Sequence, residues 1–370
     1  MDDAVPLYAV YALLFLASGL SEGQIALLFG IWSTVAVLAE VPSGAWADRF
    51  SRRSAVVLAS LLKAAGFTVW VSWPEFAGFA IGFVLWGIGG SLQSGAFEAL
   101  VYDSLDAAGA ADQYPGLMGR AQSVALVTEV LATAAATPLL LAGGYALVGW
   151  VSVGLSLAGA VLAARIPEAR GRPQPAGEQE SGANELGYFQ VLRAGVAEIV
   201  TRPRVLAAAL AVVLVTGLDG VEEFSPLLAG AWGVPASLVP LVLVALPLTA
   251  AGATAFSGAA ARLPMLGVAT LLATAAAALG AATLAAQPVG MAGFALWHGL
   301  LRLVIVLLDA RLQDAITGPA RATVTSVASL GTELSAIAVF GAYAGGGAGL
   351  VAAMALLIAV TLPGWLRVRR

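Results

Sequence analysis

Of the 370 residues, 60% are hydrophobic and only 11% are charged, against about a quarter charged in a soluble domain, so the chain is a polytopic membrane protein. The net charge of −4 says less than the placement of the charges does, and no nucleic-acid partner is expected. With no cysteine and a single histidine, His298, disulfides, thiolate metal sites and polyhistidine metal centres are excluded, and neither a metal nor a cofactor is expected.

At about 20 residues per crossing, the length accommodates about 12 helices and one moderate linker. Met1-Asp2-Asp3 is acidic where the start of a signal peptide is basic, so no cleaved leader is expected in the first residues. Apolar runs and breaks predict spans at 5–20, 25–46, 54–73, 76–101, 117–141, 145–165, 204–220, 236–256, 264–286, 289–311, 322–343 and 348–366. The alternating pattern of a β-barrel is absent. With the N-terminus inside, every one of the 18 basic residues except Lys63 and Arg302 falls on the cytoplasmic side. The opposite loops carry acids only, among them Glu22, Glu75, Glu222 and Glu223. This sorting places both termini in the cytoplasm.

The polar stretch 166–203 opens with Pro167 and Arg170-Gly171-Arg172-Pro173, the composition of a flexible linker. Tyr188, Phe189, Val191, Leu192, Val196 and Ile199 follow on one face of an amphipathic surface helix. The expected domains are therefore 1–165, a cytoplasmic linker 166–203, and 204–370. The halves echo each other. Ser43-Gly44-Ala45 returns as Ser257-Gly258-Ala259, Thr128-Glu129 as Thr332-Glu333, and Arg120 as Arg321.

The stretch that organises the chain is Glu40-Val41-Pro42-Ser43-Gly44-Ala45-Trp46-Ala47-Asp48-Arg49-Phe50-Ser51-Arg52-Arg53. It reads as a tight charged hairpin between two membrane helices. Glycine allows close backbone approach, aspartate accepts hydrogen bonds from helix N-termini or arginine, and the arginines hold the turn inside. It resembles the signature of the major facilitator superfamily, Gly-x-Leu-Ala-Asp-Arg-x-Gly-Arg-Arg, with Trp46 in place of Leu and Ser51 in place of Gly. The resemblance implies an all-α fold of 12 transmembrane helices in two pseudo-symmetric six-helix bundles. It further implies a monomer in the cell membrane that carries a small molecule by alternating access, with the substrate near the midplane between parallel repeats. Asp103, at the end of the fourth span, is then expected to pair with Arg52 or Arg53. Asp48 is expected at the start of the eleventh helix near Arg321, so that Gly44, Asp48, Arg49, Arg52, Arg53, Asp103 and Arg321 form the gating set.

Ionisable groups inside a bilayer are functional candidates. Glu129 and Glu333 lie about 14–18 Å into their helices at 1.5 Å per residue, where a desolvated carboxylate can take up and release a proton near neutrality. Glu98 follows Gln93-Ser94-Gly95-Ala96, similar to part of a fourth-helix motif of proton-coupled members; that motif's arginine is replaced here by Gly90. Glu98 is either a substitute proton site or a near-surface acid. His298 and Arg302 are four residues apart and share a helix face. Arg302 binds an anionic substrate group or pairs with Glu333, in which case Glu129 is the proton carrier. Lys63 is given no role, and Tyr8, Tyr11 and Phe15 are expected to be helix packing. The expected function is proton-coupled efflux of a small amphipathic compound. Proton-coupled uptake and a non-transporting sensor that kept the fold are the alternatives, and no enzymatic site is expected.

Overall fold

A computed structural model describes residues 5–49, 51–94, 96–166, 168, 199–316 and 321–365, without the side chains of 41, 42, 44–49 and 321–323. These residues contain helices and no strands. After a 3-10 turn, Pro6–Ala9, come α1 (Tyr11–Ala17), α2 (Glu22–Arg49), α3 (Arg52–Ser72), α4 (Phe76–Gln93), α5 (Ala96–Ala107) and α6 (Tyr114–Ala164). Then follow α7 (Pro203–Gly217), a 3-10 segment (Leu218–Phe224), α8 (Ser225–Ala231), α9 (Val239–Leu243), α10 (Ala245–Thr254), α11 (Ser257–Ala260), α12 (Met265–Ala285), α13 (Gly290–Ala315) and α14 (Arg321–Trp365).

Among the described residues, eight helices are long and apolar enough to cross a membrane. Two of these are double. The 51 residues of α6 break at Gly143-Gly144, and the 45 residues of α14 break at Gly347. Adding the shorter Val239–Thr254 and the first helix brings the crossings to 12. The two breaks share one geometry: Gly144 has φ 63°, ψ −163°, and Gly347 has φ 63°, ψ −167°. That backbone region is accessible essentially to glycine alone, so glycine turns the chain back into the membrane at the same place in each half. Gly143-Gly144, with Pro138 nearby, is therefore a hairpin corner.

The chain divides into two compact units. The first takes Met1–Gln179 together with Pro235–Val244, and the second takes Glu180–Val234 with Ala245–Arg370. The first unit has an aromatic core. Phe15, Phe29, Phe67, Trp70, Phe79 and Phe83 are fully buried, and Tyr11 packs among them against Trp70 and Trp86. The Trp70 indole donates to the Phe79 carbonyl at 3.0 Å, which supplies the partner that a buried N–H needs. Tyr11 and Phe15 are packing residues, as their spacing predicts.

Two expectations need correction. Gly44 to Arg49 continue the helical backbone of α2 and α3 begins at Arg52, so the charged stretch is mostly helix. Ser51 caps α3, its hydroxyl accepting from the Ser54 N–H at 3.0 Å. The seventh span, expected to end at 220, continues to Ala231. Glu222 and Glu223 thus lie within a span and not in an external loop.

Candidate functional site

The second unit builds a charged cluster inside the membrane-spanning region. Pro226 has no N–H to donate to the Glu222 carbonyl, so the α-helical ladder cannot pass through it. The chain answers with seven residues of 3-10 helix, Leu218–Phe224, a long run for that conformation and one often found at functional hinges. In a 3-10 helix residues three apart eclipse, so Asp219 and Glu222 stand on one face. A side chain at Gly217 would collide with Ser335, so glycine is what lets this segment lie against α14. Phe224 stacks on Tyr343 with centroids 3.7 Å apart, anchoring the far end.

Across from these acids, α13 presents His298 and Arg302. Arg302 is the thirteenth of its 26 residues, mid-helix as expected. Its Nη2 lies 2.9 Å from Asp219 Oδ2 and donates to Glu222 Oε2 at 3.2 Å. His298 is buried, with Nδ1 at 3.5 Å from Glu222 Oε2 and 3.8 Å from Asp219 Oδ1. Glu222 Oε2 is therefore shared by the guanidinium and the imidazole, while Asp219 Oδ1 is buried and accepts no hydrogen bond among the described residues. Two carboxylates face one fixed positive charge. The cluster has room for one more, and the imidazole and the carboxylates are groups that bind protons.

Arg302 is thus paired, but not with Glu333. That residue is half-buried on α14 and forms no ion pair among the described residues. Depth along the helix matches the two; the direction in which each faces does not bring them together. Glu129 is half-buried on α6. Glu98 is exposed at the wall of a cavity of about 540 Å³ that also meets Ser60, Gln93, Gln122 and Ser156. Lys63 is buried and donates to Gln93 Oε1 at 3.2 Å. A cation thus reaches the motif's glutamine from α3, although Gly90 cannot supply one.

At the start of α3, Arg52 pairs with Asp103, as expected, and also donates to the Ala99 carbonyl at 3.4 Å. Glu168 accepts from the Ser51 hydroxyl at 2.8 and 3.0 Å and from the Arg53 N–H at 3.2 Å, and Arg53 Nε lies 3.9 Å from it. The side chains of Gly44, Asp48, Arg49 and Arg321 lie outside the described residues, as does nearly all of the expected linker and its amphipathic helix.

The sequence reading missed Asp219, Glu222 and Glu168. Pro226 followed by Leu-Leu-Ala was a signal that the apolar span resumes beyond the acids. Glu168 carried no such signal.

A sequence profile described as the Major Facilitator Superfamily matches residues 2–350. The chain belongs to the major facilitator superfamily. Solved structures agree in fold. A bacterial homologue of the human lysosomal transporter Spinster, inward-facing and occupied, superposes with a TM-score of 0.74 at 17% identity, covering 99% of this chain and 93% of that one. A point mutant of the nucleoside transporter NupG gives 0.73 at 12% identity over 99% and 96%. A D-xylose–proton symporter gives 0.69 at 14% identity over 98% and 93%. No protein of curated function matches significantly. This superfamily member is a non-enzymatic, multi-pass membrane transporter of 12 helices in two six-helix bundles.

Proposed function

We propose that this chain is a proton-coupled secondary transporter that exports a small amphipathic compound across the cell membrane, with both termini in the cytoplasm. The observation that carries the proton coupling is the cluster of Asp219, Glu222, His298 and Arg302 within two spans. Charged side chains at that depth are costly and mark ion or substrate pathways. Two acids, one guanidinium and an imidazole leave one unit of charge to be filled. A proton and a cationic group of a substrate would compete for it, and such exclusion is the logic of exchange, inward proton against outward substrate. This supports efflux over uptake, and it moves the proposed carrier from Glu129 to the cluster. Glu129, Glu333 and Glu98 then serve substrate orientation or packing. The arginine-rich cytoplasmic segments support the orientation.

The test is flux in proteoliposomes with and without an imposed pH gradient, after compounds have been screened by thermal stabilisation of the purified protein. Glu222→Gln and Asp219→Asn are expected to lose gradient-driven accumulation while keeping downhill exchange. Full gradient-driven transport in both variants, with loss in Glu129→Gln, would return the carrier to α6. Absence of flux for every stabilising compound would favour a sensor that kept the fold.

A further inference from the structure

The cluster has a donor geometry that a proton carrier alone does not require. The side chain of His298 is only 4% exposed, and its Nδ1 is aimed at two carboxylates from just beyond hydrogen-bond distance. Asp219 Oδ1, the nearer atom of that acid to the imidazole, is buried and has no donor among the described residues. One ligand atom each from Asp219, Glu222 and His298 lie within 4.8 Å of one another. Zinc–nitrogen and zinc–oxygen bonds of about 2.0–2.2 Å set neighbouring donors about 3.0–3.5 Å apart. The observed 3.5 and 3.8 Å reach that range by small rotations of the acid side chains. Three protein donors and an open fourth position make a labile site for a first-row ion. Magnesium and calcium call for shells of six or more oxygens, and this donor set offers them one nitrogen and two carboxylates.

We propose that Asp219, Glu222 and His298 form a binding site for a divalent transition-metal ion of the zinc type. Arg302 sets its affinity. The guanidinium holds Asp219 through Oδ2 at 2.9 Å, which turns Oδ1 toward the imidazole. Its positive charge beside the donors opposes the metal. The site rests on the same residues as the proposed coupling, but not on transport.

His298 is the only histidine and the chain has no cysteine, so background binding by soft donors is small. The experiment is calorimetric titration of the full chain, purified in detergent with a tag free of histidine and stripped with chelator, against zinc chloride and magnesium chloride. The expected result is one zinc per chain and no magnesium. His298→Gln and Asp219→Asn should weaken zinc by about tenfold or more. Arg302→Gln should tighten it by a similar factor, which a fortuitous surface site would not do. Zinc binding unchanged in His298→Gln, or none in either the wild type or Arg302→Gln, overturns the proposal. If His298→Gln fails to fold, Glu222→Gln takes its place with the same expectation. Calorimetry involves no gradient. Absence of pH-driven transport by the wild type with zinc binding intact therefore refutes only the coupling, and pH-driven transport by the wild type without zinc binding refutes only the metal site.

Discussion

Arg302→Met removes the guanidinium that Asp219 and Glu222 share at 2.9 and 3.2 Å. At an effective dielectric constant of about 20, unit charges about 3 Å apart attract by roughly 5–6 kcal/mol. Desolvation cancels most of this. The Asp219 side chain is only 18% exposed, but that of Arg302 is 42% exposed, so solvent screens the pair from one side. Measured polar couplings between membrane helices average about 0.6 kcal/mol and reach about 1.7 kcal/mol. A cation bonded to two carboxylates belongs at the upper end. We expect Arg302→Met to destabilise by about 2 kcal/mol, since it leaves two acids facing each other. In a double-mutant cycle with Asp219→Asn the expected coupling is about 1–1.5 kcal/mol, the second change relieving the repulsion left by the first. The assay is reversible unfolding in mixed micelles for the four proteins of the cycle. Additivity within about 0.3–0.5 kcal/mol would refute the pairing. The same cycle with Glu333→Gln is the control and is expected to be additive; a coupling there would restore the pairing inferred from helix depth.

Gly144→Ala and Gly347→Ala should each cost about 1–3 kcal/mol, by similar amounts. Both residues hold the same backbone geometry and neither has an atom within 4 Å of an added Cβ, so the cost is backbone strain alone. Thermal melts showing no loss in either would contradict the assigned turns. Glu168→Ala removes the acceptor of the Ser51 hydroxyl and the Arg53 N–H. It should cost about 1 kcal/mol, the usual worth of a helix N-terminal cap, read as about fivefold faster hydrogen exchange in the first turn of α3. Unchanged exchange there would remove Glu168 from the cap.

The spans were legible because hydropathy is a local property. Each of the 12 predicted runs corresponds to helical structure within a few residues, apart from the fourth, which runs on to Ala107, and the seventh. The seventh was cut at 220 because Asp219, Glu222 and Glu223 lower the local hydropathy. The rule behind the cut, that acids mark loops, fails where acids are paired across helices. The charged stretch from Gly44 to Arg53 was legible as a motif, but the extent of helix within it was not. Its polarity marks the membrane surface, but a helix can cross that surface, and α2 runs on to Arg49. Asp103 with Arg52 was readable from the resemblance. Lys63 on Gln93 was not, because the cation comes from a different helix.

By itself the sequence determined the membrane, the helix count and the helix face shared by His298 and Arg302, all of which follow from composition and from the 3.6-residue period. It placed Arg302 and Glu333 at comparable depth, because depth is read at 1.5 Å per residue. Which side chains meet at that depth depends on helix rotation and on the neighbour each helix packs against, and neither is written in a single helix. Arg302 and Glu222 are 80 residues apart in the chain. Only the packing of α13 against the 3-10 segment, which Gly217 lets lie against α14, brings the histidine and arginine onto Asp219 and Glu222.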